Sequence, residues 1–299
     1  MGNEERITWK TGEILKKYGV SLRKSLGQNF LIDPNMVKKI AESAHLESED
    51  GVIEIGPGVG VLTAELAKRA KKVVAVEIDG RLIPILSDIF RDWKSIRIIH
   101  GDILKINLHE ITSFLLQETK RVHVVANLPY YVTTPILMRL LEDKLPLTSI
   151  VVMVQREVAD RIAAEPGGKE YGALSIACQY FAKVEKVLQV PKEVFYPKPE
   201  VDSTVIRLML YAFPPVRVEE ENLFFQVVRA SFANRRKTLF NNLRSAFPEL
   251  EQNLSSLLSE GGIDPKRRGE TLTIQEFSTL SNLIWRERVK KRGEKLLYE

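Results

Sequence analysis

Between Val52 and about Leu210, short apolar runs alternate with stretches in which apolar residues recur every three or four positions. The short runs are VIEI from Val52, KVVAVEI from Lys72, IRIIH from Ile96, RVHVVA from Arg121 and SIVVMVQ from Ser149. Amphipathic stretches such as VLTAELAKRA and RLIPILSDIF separate them. Nearly continuous apolar strands that alternate with helices are typical of a parallel sheet covered on both faces. The pattern therefore predicts an α/β fold with helices on both faces of one sheet.

Two further strand-like runs, KVEKVLQV from Lys183 and STVIRLML from Ser203, follow without a full helix between them. We expect them to form an antiparallel hairpin at the edge of the sheet. Ahead of the sheet, DPNMVKKIAESAHL predicts a helix with Asp33 as its N-cap and Pro34 in its first turn.

The chain changes character after YAFPPV, a break that contains two prolines. Beyond it the apolar residues show only helical spacing, as in FFQVVRASF, TLFNNLRSAF and LEQNLSSLLSE. A last helix is predicted after Thr273, which has the spacing of a capping box with Glu276. These patterns predict two domains, an α/β domain over residues 1–210 and a small all-α domain over residues 211–299.

The amino-acid composition limits the classes of protein to which this chain can belong. Hydrophobic residues make up 44% of the chain and charged residues 28%, which is ordinary for a globular protein. No apolar run approaches the roughly 18 residues of a membrane helix, and MGNEERITWK lacks the apolar core of a signal peptide. We therefore expect a cytoplasmic protein without a membrane segment. The single cysteine, Cys178, excludes disulfides within the chain, and the four scattered histidines form no ligand cluster, so we expect no metal site.

The charge favours a polyanionic partner, since the net charge is +5 and the pI is about 9.1. Basic residues concentrate in four segments, Lys16–Lys24, Asn234–Lys237, Lys266–Arg268 and Arg286–Arg292. One such segment alone is most often a solvated face. Four of them in a basic chain favour nucleic acid as the partner.

The first predicted strand runs into a glycine-rich turn, EIGPGVG, from Glu54 to Gly60. Its glycines let a ligand approach the backbone and the start of the next helix. Glu77, at the end of the second strand, can accept hydrogen bonds from two ribose hydroxyls, and Asp102, after the third, can accept one from an adenine amino group. The carboxyl ends of parallel strands share one edge, so these groups converge. The combination resembles S-adenosylmethionine-dependent methyltransferases, whereas nicotinamide enzymes have G-x-G-x-x-G.

The fourth strand runs into Asn127-Leu128-Pro129-Tyr130, which is similar to the Asn/Asp-Pro-Pro-Tyr motif of amino-methyltransferases. An adenine amino group is a poor nucleophile because its lone pair is delocalised into the ring. The Asn127 side-chain oxygen and the Leu128 carbonyl can accept its N–H bonds and turn the lone pair towards a methyl donor. Pro129 fixes the direction of the chain, and Tyr130 offers a face on which the base can stack.

Three more stretches narrow the resemblance: SLGQNFLID from Ser25, FYPKPEVDS from Phe195 and RASFANRRKTLFNNL from Arg229. Together with EIGPGVG and NLPYYVTTP, they look like the ribosomal RNA small-subunit adenine dimethyltransferase family of the bacterial KsgA/RsmA type. The resemblance extends from about Ser25 to about Leu272. It implies a Rossmann-like S-adenosylmethionine methyltransferase sheet and a role in ribosome biogenesis. The implied substrate is a pair of adjacent adenines in a hairpin loop near the 3′ end of small-subunit rRNA, each dimethylated on its 6-amino nitrogen.

The resemblance also assigns roles to residues of this chain. Those expected to bind S-adenosyl-L-methionine are Gln28, Asn29 and Leu31, which would close over it, and Gly56, Gly58, Glu77, Asp102 and Asn127. Those expected to hold the target amine are Asn127, Leu128, Pro129 and Tyr130. Phe195 is expected to stack on the other face of the adenine, from an exposed loop that its flanking prolines make rigid. Those expected to contact rRNA are Arg23, Lys24, Arg229, Arg235, Arg236, Lys237 and Arg244.

Two other functions remain open at this point. The large-subunit rRNA adenine methyltransferases of antibiotic-resistance type share the catalytic motifs, although FYPKPEVDS and RRKTLFNNL favour the small-subunit family. The second is a non-catalytic role, in which the protein binds the immature small subunit as an assembly checkpoint or acts as a transcription factor built on this fold. The intact Asn127, Tyr130 and glycine turn argue against it. Nothing in the sequence suggests an obligate dimer, so we expect a monomer.

Overall fold

The computed structural model describes residues 11–20 and 27–296 and, for residues 292 and 294–296, the backbone only. Arg23 and Lys24, two residues expected to contact RNA, lie outside this part of the chain. Contacts group the chain into two compact units. The first ends at Ala159 and also includes Lys183–Leu210, and the second comprises Asp160–Ala182 and the chain from Tyr211 onwards. The domains expected from the sequence, residues 1–210 and 211–299, stay a prediction.

The strands and helices predicted from the sequence are present, together with short elements that were not predicted. The strands are β1 (Phe30–Leu31), β2 (Gly51–Ile55), β3 (Lys72–Glu77), β4 (Ile96–His100), β5 (Val122–Asn127), β6 (Ser149–Gln155), β7 (Ala182–Val190), β8 (Phe195–Tyr196) and β9 (Ser203–Leu210). The helices are α1 (Thr11–Lys17), α2 (Pro34–Ser43), α3 (Val61–Ala67), α4 (Ile83–Ile89), α5 (Leu108–Leu116), α6 (Thr133–Glu142), α7 (Arg156–Ile162), α8 (Ala173–Phe181), α9 (Glu221–Ser231), α10 (Leu239–Ala246), α11 (Glu251–Glu260) and α12 (Ile274–Leu296). Within the described residues, none of these helices has the length and apolar character needed to cross a membrane.

Seven strands form one sheet in the order β4-β3-β2-β5-β6-β9-β7. The first five of these pair in parallel, and β9 pairs antiparallel with β6. The predicted α/β fold with a Rossmann-like sheet is therefore confirmed. The chain proceeds outwards in opposite directions from β2 and from β5, so the segments that follow these neighbours turn away from each other. A crevice opens between them at the carboxyl edge of the sheet.

The central strands are apolar because helices cover them. β2 is buried along its whole length and β5 along all but its last residue. One core cluster contains Val52 of β2 and Val73 of β3 together with Ile40 of α2 and Leu66 of α3. A strand buried on both faces has no solvent-facing positions, which explains the lack of polar alternation in these runs.

The edge of the sheet beyond β6 contains the two strands predicted to form a hairpin, since β9 and β7 lie side by side there. A separate ladder between β1 and β8 was not predicted. It pairs Phe30 with Tyr196 and Leu31 with Phe195. Two-residue strands are too short to show a period in the sequence. The ladder brings the SLGQNFLID and FYPKPEVDS stretches together.

In the second unit, aromatic side chains form much of the packing between helices. The ring of Tyr180 in α8 lies 5.0 Å from that of Phe224 and 5.2 Å from that of Phe225, both in α9. The predicted capping box at the start of α12 is confirmed. The backbone N–H of Glu276 donates to the Thr273 hydroxyl at 3.2 Å, and the backbone N–H of Thr273 donates to the Glu276 carboxylate at 2.8 Å.

A buried carboxylate fastens the opposite, amino edge of the sheet. Asp50, just before β2, is 1% exposed and accepts two hydrogen bonds of 2.9 Å from the guanidinium of Arg121, just before β5. The backbone N–H of Glu47 donates to the same carboxylate at 2.8 Å. Burial opposes ionisation of Asp50, but these hydrogen bonds outweigh it and lower the pKa of the carboxyl. The pair links the starts of the two strands whose far ends border the crevice.

We expect Asp50→Asn to lower the free energy of unfolding by about 2 kcal/mol at pH 7. Arg121 would lose its buried charged partner, but it would keep the salt bridge of 2.9 Å to the exposed Glu47 and stay partly exposed to water. Since folding lowers the pKa of Asp50, its contribution is complete above the unfolded pKa and is lost as the pH falls below about 4. Urea denaturation of both proteins at pH 7, 5 and 3 measures this. The difference in unfolding free energy between wild type and variant should be equal at pH 7 and pH 5 and smaller at pH 3. A difference that stays constant across all three pH values would contradict the ion-pair explanation.

Candidate active site

The crevice between β2 and β5 holds most of the residues selected from the sequence. A cavity of about 90 Å³ is lined by the segments that follow β2, β3 and β5 and by residues 27–31. The expected site residues in its lining are Gln28, Asn29, Leu31, Gly56, Gly58, Glu77, Asn127, Leu128, Pro129 and Tyr130. A second cavity of about 190 Å³ contains Asp102 and shares Gly56, Ile78 and Pro129 with the first. The two cavities are neighbouring parts of one cleft.

Two glycines after β2 adopt a left-handed backbone conformation that other residues avoid. Gly56 has a φ of +69° and Gly58 a φ of +61°. A Cβ atom at Gly58 would lie 2.7 Å from the ring of Phe30, so this part of the turn packs tightly against β1. At Gly56 the nearest atom would be the carbonyl oxygen of Asn127 at 3.9 Å. The turn is therefore supported on one side and leaves its backbone accessible on the side of the cleft.

Glu77 ends β3 with its carboxylate directed at the glycine turn. Its Oε2 accepts a hydrogen bond from the backbone N–H of Gly58 at 3.1 Å, and its Oε1 accepts one from the backbone N–H of Asp79 at 2.8 Å. Burial raises the pKa of Glu77, the two backbone donors oppose the rise, and the charge of Asp79 adds to it. Each carboxylate oxygen has two lone pairs, so Glu77 can still accept hydrogen bonds from two neighbouring hydroxyl groups.

Asp79 holds the segment that precedes β1 beside the cleft. The Gln28 side-chain amide donates to Asp79 Oδ2 at 2.9 Å, and the Arg81 guanidinium pairs with the same carboxylate at 2.5 Å. The hydrogen bonds from Arg81 have the largest effect on Asp79 and lower the pKa of its carboxyl to about 2. Asp79 is therefore ionised at neutral pH and keeps Gln28 in the lining of the cavity.

The side-chain amide of Asn127 has a defined orientation. Its Nδ2 donates to the backbone carbonyl of Asn29 at 3.0 Å, which leaves Oδ1 as the atom that can accept a hydrogen bond from a ligand. The next backbone N–H, that of Leu128, donates to the carbonyl of Met153 in β6 at 3.3 Å. The Leu128 side chain is buried. The motif therefore offers its main chain, anchored to the sheet, and the Asn127 oxygen.

Tyr130 connects two of the sequence motifs in space. Its hydroxyl lies 2.9 Å from the hydroxyl of Ser203, and Ser203 is the last residue of FYPKPEVDS. Burial raises the pKa of Tyr130, and the hydrogen bond with Ser203 opposes the rise, so the phenol is neutral at physiological pH. The side chain of Tyr131, the next residue, is 60% exposed. One ring at the end of β5 is thus fixed by a hydrogen bond, and the other projects into solvent.

The expectation that Phe195 lies in an exposed loop is wrong. Its side chain is 3% exposed and belongs to the core cluster that also contains Leu31 and Val190. Phe195 pairs with Leu31 in the ladder between β1 and β8, whereas the next side chain, Tyr196, is 53% exposed. Successive side chains of a strand point to opposite faces, so the ladder turns one ring inward and the other outward. The flanking prolines gave no information about this alternation.

Asp102 occupies a more apolar part of the cleft than Glu77. Its Oδ1 accepts a hydrogen bond from the backbone N–H of Leu104 at 3.0 Å. Ile78 and Ile103, which directly follow the two acidic residues, line the second cavity and were not selected from the sequence. An apolar residue immediately after an acidic residue at a strand end is the signal that would have identified them. Apolar side chains beside a carboxylate suit a flat ring with a polar edge.

Glu54, the penultimate residue of β2, was also not selected. Its side chain is 1% exposed and lines the first cavity, and neither carboxylate oxygen has a hydrogen-bond partner among the described residues. Burial raises the pKa of Glu54 to about 8; the Thr63 hydroxyl opposes the rise and the charge of Glu77 adds to it. An acidic residue inside an otherwise apolar buried strand is unfavourable without a partner, and this is the signal that would have singled it out.

In the second unit, the loop between α9 and α10 presents basic residues that were expected to contact RNA. The Asn242 side-chain amide donates to the carbonyl of Asn234 at 3.0 Å and fixes the loop. Arg235 differs from the other basic residues, because its guanidinium donates to the carbonyls of Lys169 at 2.7 Å and Tyr171 at 3.2 Å. The remaining expected residues in this region have exposed side chains: Arg229, Arg236, Lys237 and Arg244.

Comparison with known proteins identifies close relatives. Residues 19–285 match the family described as Ribosomal RNA adenine dimethylase. A Geobacillus sp. (strain WCH70) protein named Ribosomal RNA small subunit methyltransferase A is 57% identical over 278 residues, which cover 92% of this chain and 96% of that protein. A solved dimethyladenosine transferase from Plasmodium falciparum has a TM-score of 0.67 at 25% identity, over 84% of this chain and 95% of that chain. The solved 23S rRNA methyltransferase ErmE has a TM-score of 0.65 at 25% identity, over 85% of this chain and 98% of that chain.

We expect Glu54→Gln to stabilise the ligand-free protein at neutral and alkaline pH. Folding raises the pKa of Glu54 from 4.5 to about 8, so the native protein loses stability as the pH rises through this interval, while glutamine stays neutral. The stability difference between variant and wild type should grow by about 1.4 kcal/mol per pH unit between pH 5 and 8. Urea denaturation across this range measures it, and parallel stability curves would show that the Glu54 carboxyl is not held neutral.

Proposed function

The chain belongs to the ribosomal RNA adenine dimethylase family, and we propose that it dimethylates the 6-amino groups of two adjacent adenines in a hairpin loop near the 3′ end of small-subunit rRNA. It is an S-adenosylmethionine-dependent methyltransferase. The observation that carries the proposal is the orientation of Asn127. Its amide donates to Asn29, so its oxygen remains as an acceptor beside the cleft formed by the glycine turn and Glu77.

The relatives favour the small subunit over the large subunit as the substrate. The relative named for the small subunit is 57% identical over nearly its whole length, whereas the 23S rRNA methyltransferase is 25% identical. Both share the fold with this chain, so the fold alone does not distinguish the substrates. The much higher identity to the first protein supports small-subunit rRNA.

The cleft fits S-adenosylmethionine, which supplies an activated methyl group on a positively charged sulfur. Glu77 can accept hydrogen bonds from the ribose hydroxyls through its remaining lone pairs. Asp102 can accept one from the adenine amino group, with Ile78 and Ile103 against the ring. The backbone of the turn at Gly56 and Gly58 is accessible to the rest of the molecule. The cavity is also bordered by Gln28, Asn29 and Leu31, which would close over the bound cofactor.

The target amine is positioned by acceptors that lie one residue apart. The Asn127 Oδ1 and the Leu128 carbonyl would accept the two N–H bonds of the adenine amino group, which localises the nitrogen lone pair and directs it at the methyl carbon. Pro129, which follows them, has no N–H that could compete. These groups orient the nitrogen without acting as strong bases, and the proton leaves after the nitrogen has gained positive charge.

Once the target adenine leaves the stacked bases of the RNA, it needs a protein surface on which to stack. Tyr130 would provide one face, with its ring fixed by the hydrogen bond to Ser203. We also propose Phe195 as the second ring. Because Phe195 lies in the core, this role requires that its side chain become accessible when the adenine enters. A second methylation at the same nitrogen requires the same pocket to accept a secondary amine.

The second unit is proposed to bind rRNA through Arg229, Arg236, Lys237 and Arg244. Their exposed side chains can contact phosphates, which position the substrate without reading its sequence. We further propose that the protein acts as a monomer in the cytoplasm on the small ribosomal subunit. No group of His, Cys, Asp or Glu in the described part of the chain could hold a metal ion, and the proposed reaction uses none.

We expect Asn127→Ala to reduce methyl transfer to undermethylated small subunits at least 100-fold, the usual scale for losing one positioned polar group in an active site. Mass spectrometry of the digested RNA measures dimethyladenosine. Asn35→Ala, at an exposed position of α2, is the matched control and should methylate at the wild-type rate.

Subunit binding by Asn127→Ala then distinguishes catalysis from a checkpoint role. Lost methylation with retained binding supports the proposed use of Asn127. Undiminished methylation would contradict it. If wild-type protein binds the subunit and S-adenosylmethionine but methylates nothing, the checkpoint role replaces the enzymatic one.

The two neighbouring arginines of the α9–α10 loop should behave differently. Arg236→Ala should weaken subunit binding and reduce the slope of log affinity against log salt concentration by about 1, with an unchanged melting temperature. Arg235→Ala removes two hydrogen bonds to backbone carbonyls and should lower stability by about 1–2 kcal/mol. Filter binding at several salt concentrations and thermal denaturation measure these effects. An unstable Arg236→Ala protein, or one with an unchanged salt slope, would contradict the phosphate contact.

A further inference from the structure

We propose that Glu54 is the exchangeable counter-charge for the cofactor, so that binding of S-adenosylmethionine replaces the carboxyl proton of Glu54 with the positive charge of the ligand. The inference rests on the proposed function, because it takes S-adenosylmethionine as the ligand of the cleft. In this step the O–H bond of Glu54 breaks, the carboxylate keeps the electron pair, and the proton passes to solvent.

Glu54 is a buried carboxyl group that lines the cavity without a charged partner. The side chain is 1% exposed and lines the first cavity, yet neither oxygen has a hydrogen-bond partner within the described residues. The hydroxyl of Thr63 in α3 is near enough to lower the pKa of the carboxyl, but it does not reach hydrogen-bond geometry with either oxygen and has no other partner among the described residues. Glu77, on the neighbouring strand, differs because two backbone N–H groups donate to it. A buried polar group without a partner is costly, so its presence at this position points to a ligand.

The charges that line the cavity have one sign. The carboxyl groups are those of Glu54 on β2 and Glu77 on β3, and α3 contributes the Thr63 hydroxyl beside Glu54. The other polar lining side chains are uncharged: Gln28, Asn29, Asn127 and Tyr130. Among the lining residues there is no Lys, Arg or His. Within the described part of the chain, no residue that lines this cavity can therefore neutralise Glu54, whereas a cationic ligand can.

The proton balance follows from these surroundings. Without ligand, burial and the nearby Glu77 keep Glu54 protonated at neutral pH, since the pKa of its carboxyl is about 8. A positive charge in the cavity favours the carboxylate and lowers this pKa. Binding and proton release are then linked, so the affinity should rise with pH up to about pH 8. The carboxyl thus selects for a charged ligand over a neutral nucleoside of similar shape.

Isothermal calorimetry at pH 6.5, in two buffers of different ionisation enthalpy, counts the protons released on binding. At this pH the ammonium group of S-adenosylmethionine itself stays charged. We expect about one proton per molecule bound and an affinity about tenfold higher at pH 7.5. The neutral nucleoside 5′-methylthioadenosine, which shares the adenosine but lacks both positive charges, should bind without releasing a proton.

Glu54→Gln has the shape of the protonated side chain and should fold. It should bind S-adenosylmethionine with close to one proton fewer released and with affinity that no longer rises between pH 6.5 and 7.5. Glu65→Gln, at a surface position of α3 paired with Lys68 and Arg69, is the matched control and should behave as wild type.

The possible results separate this inference from the proposed function. If wild type and Glu54→Gln release the same number of protons, or if the neutral nucleoside releases as many as the cofactor, Glu54 is not the counter-charge, although methylation of rRNA would still stand. If S-adenosylmethionine does not bind at all, both the inference and the proposed function are wrong.

Discussion

The reversal of strand order between β2 and β5 is the constraint on which the site depends. It separates the segments that follow two neighbouring strands and leaves a crevice at the carboxyl edge of the sheet. The glycine turn after β2, Glu77 at the end of β3 and Asn127 at the end of β5 then face one another because their strands are paired in register. Backbone anchors such as the hydrogen bond from Leu128 to Met153 keep the acceptors fixed, and a methyl transfer tolerates little displacement.

The two units present opposite charges at the places proposed to bind ligands. The chain is basic overall, with a net charge of +5, but the described residues that line its first cavity include Glu54 and Glu77 and no basic residue. This contrast suits an enzyme that binds a cationic methyl donor and an anionic RNA. The loop between α9 and α10 carries exposed basic residues, while the cleft carries the carboxyl groups, so each proposed ligand would meet complementary charge.

The sequence was informative where function lies at the ends of regular elements. The sheet followed from apolar periodicity, and the positions of Gly56, Glu77 and Asn127 followed from their place directly after predicted strands. The burial of Phe195 depends on a two-residue ladder with residues far away in the chain, which no local period reveals. The role of Arg235 in holding another loop was hidden for the same reason, since its partners are backbone carbonyls. Glu54 was visible as an acid in a buried strand, but only the structure shows that it lacks a partner.

The central claim is that this cleft dimethylates adenines of small-subunit rRNA. The most direct test offers the protein labelled S-adenosylmethionine and an equal mixture of undermethylated small and large ribosomal subunits, followed by mapping of the labelled nucleotides. The account predicts label in two adjacent dimethyladenosines near the 3′ end of the small-subunit RNA and none in the large-subunit RNA. Label confined to large-subunit RNA, or label on a base position other than the 6-amino nitrogen of adenine, would contradict it.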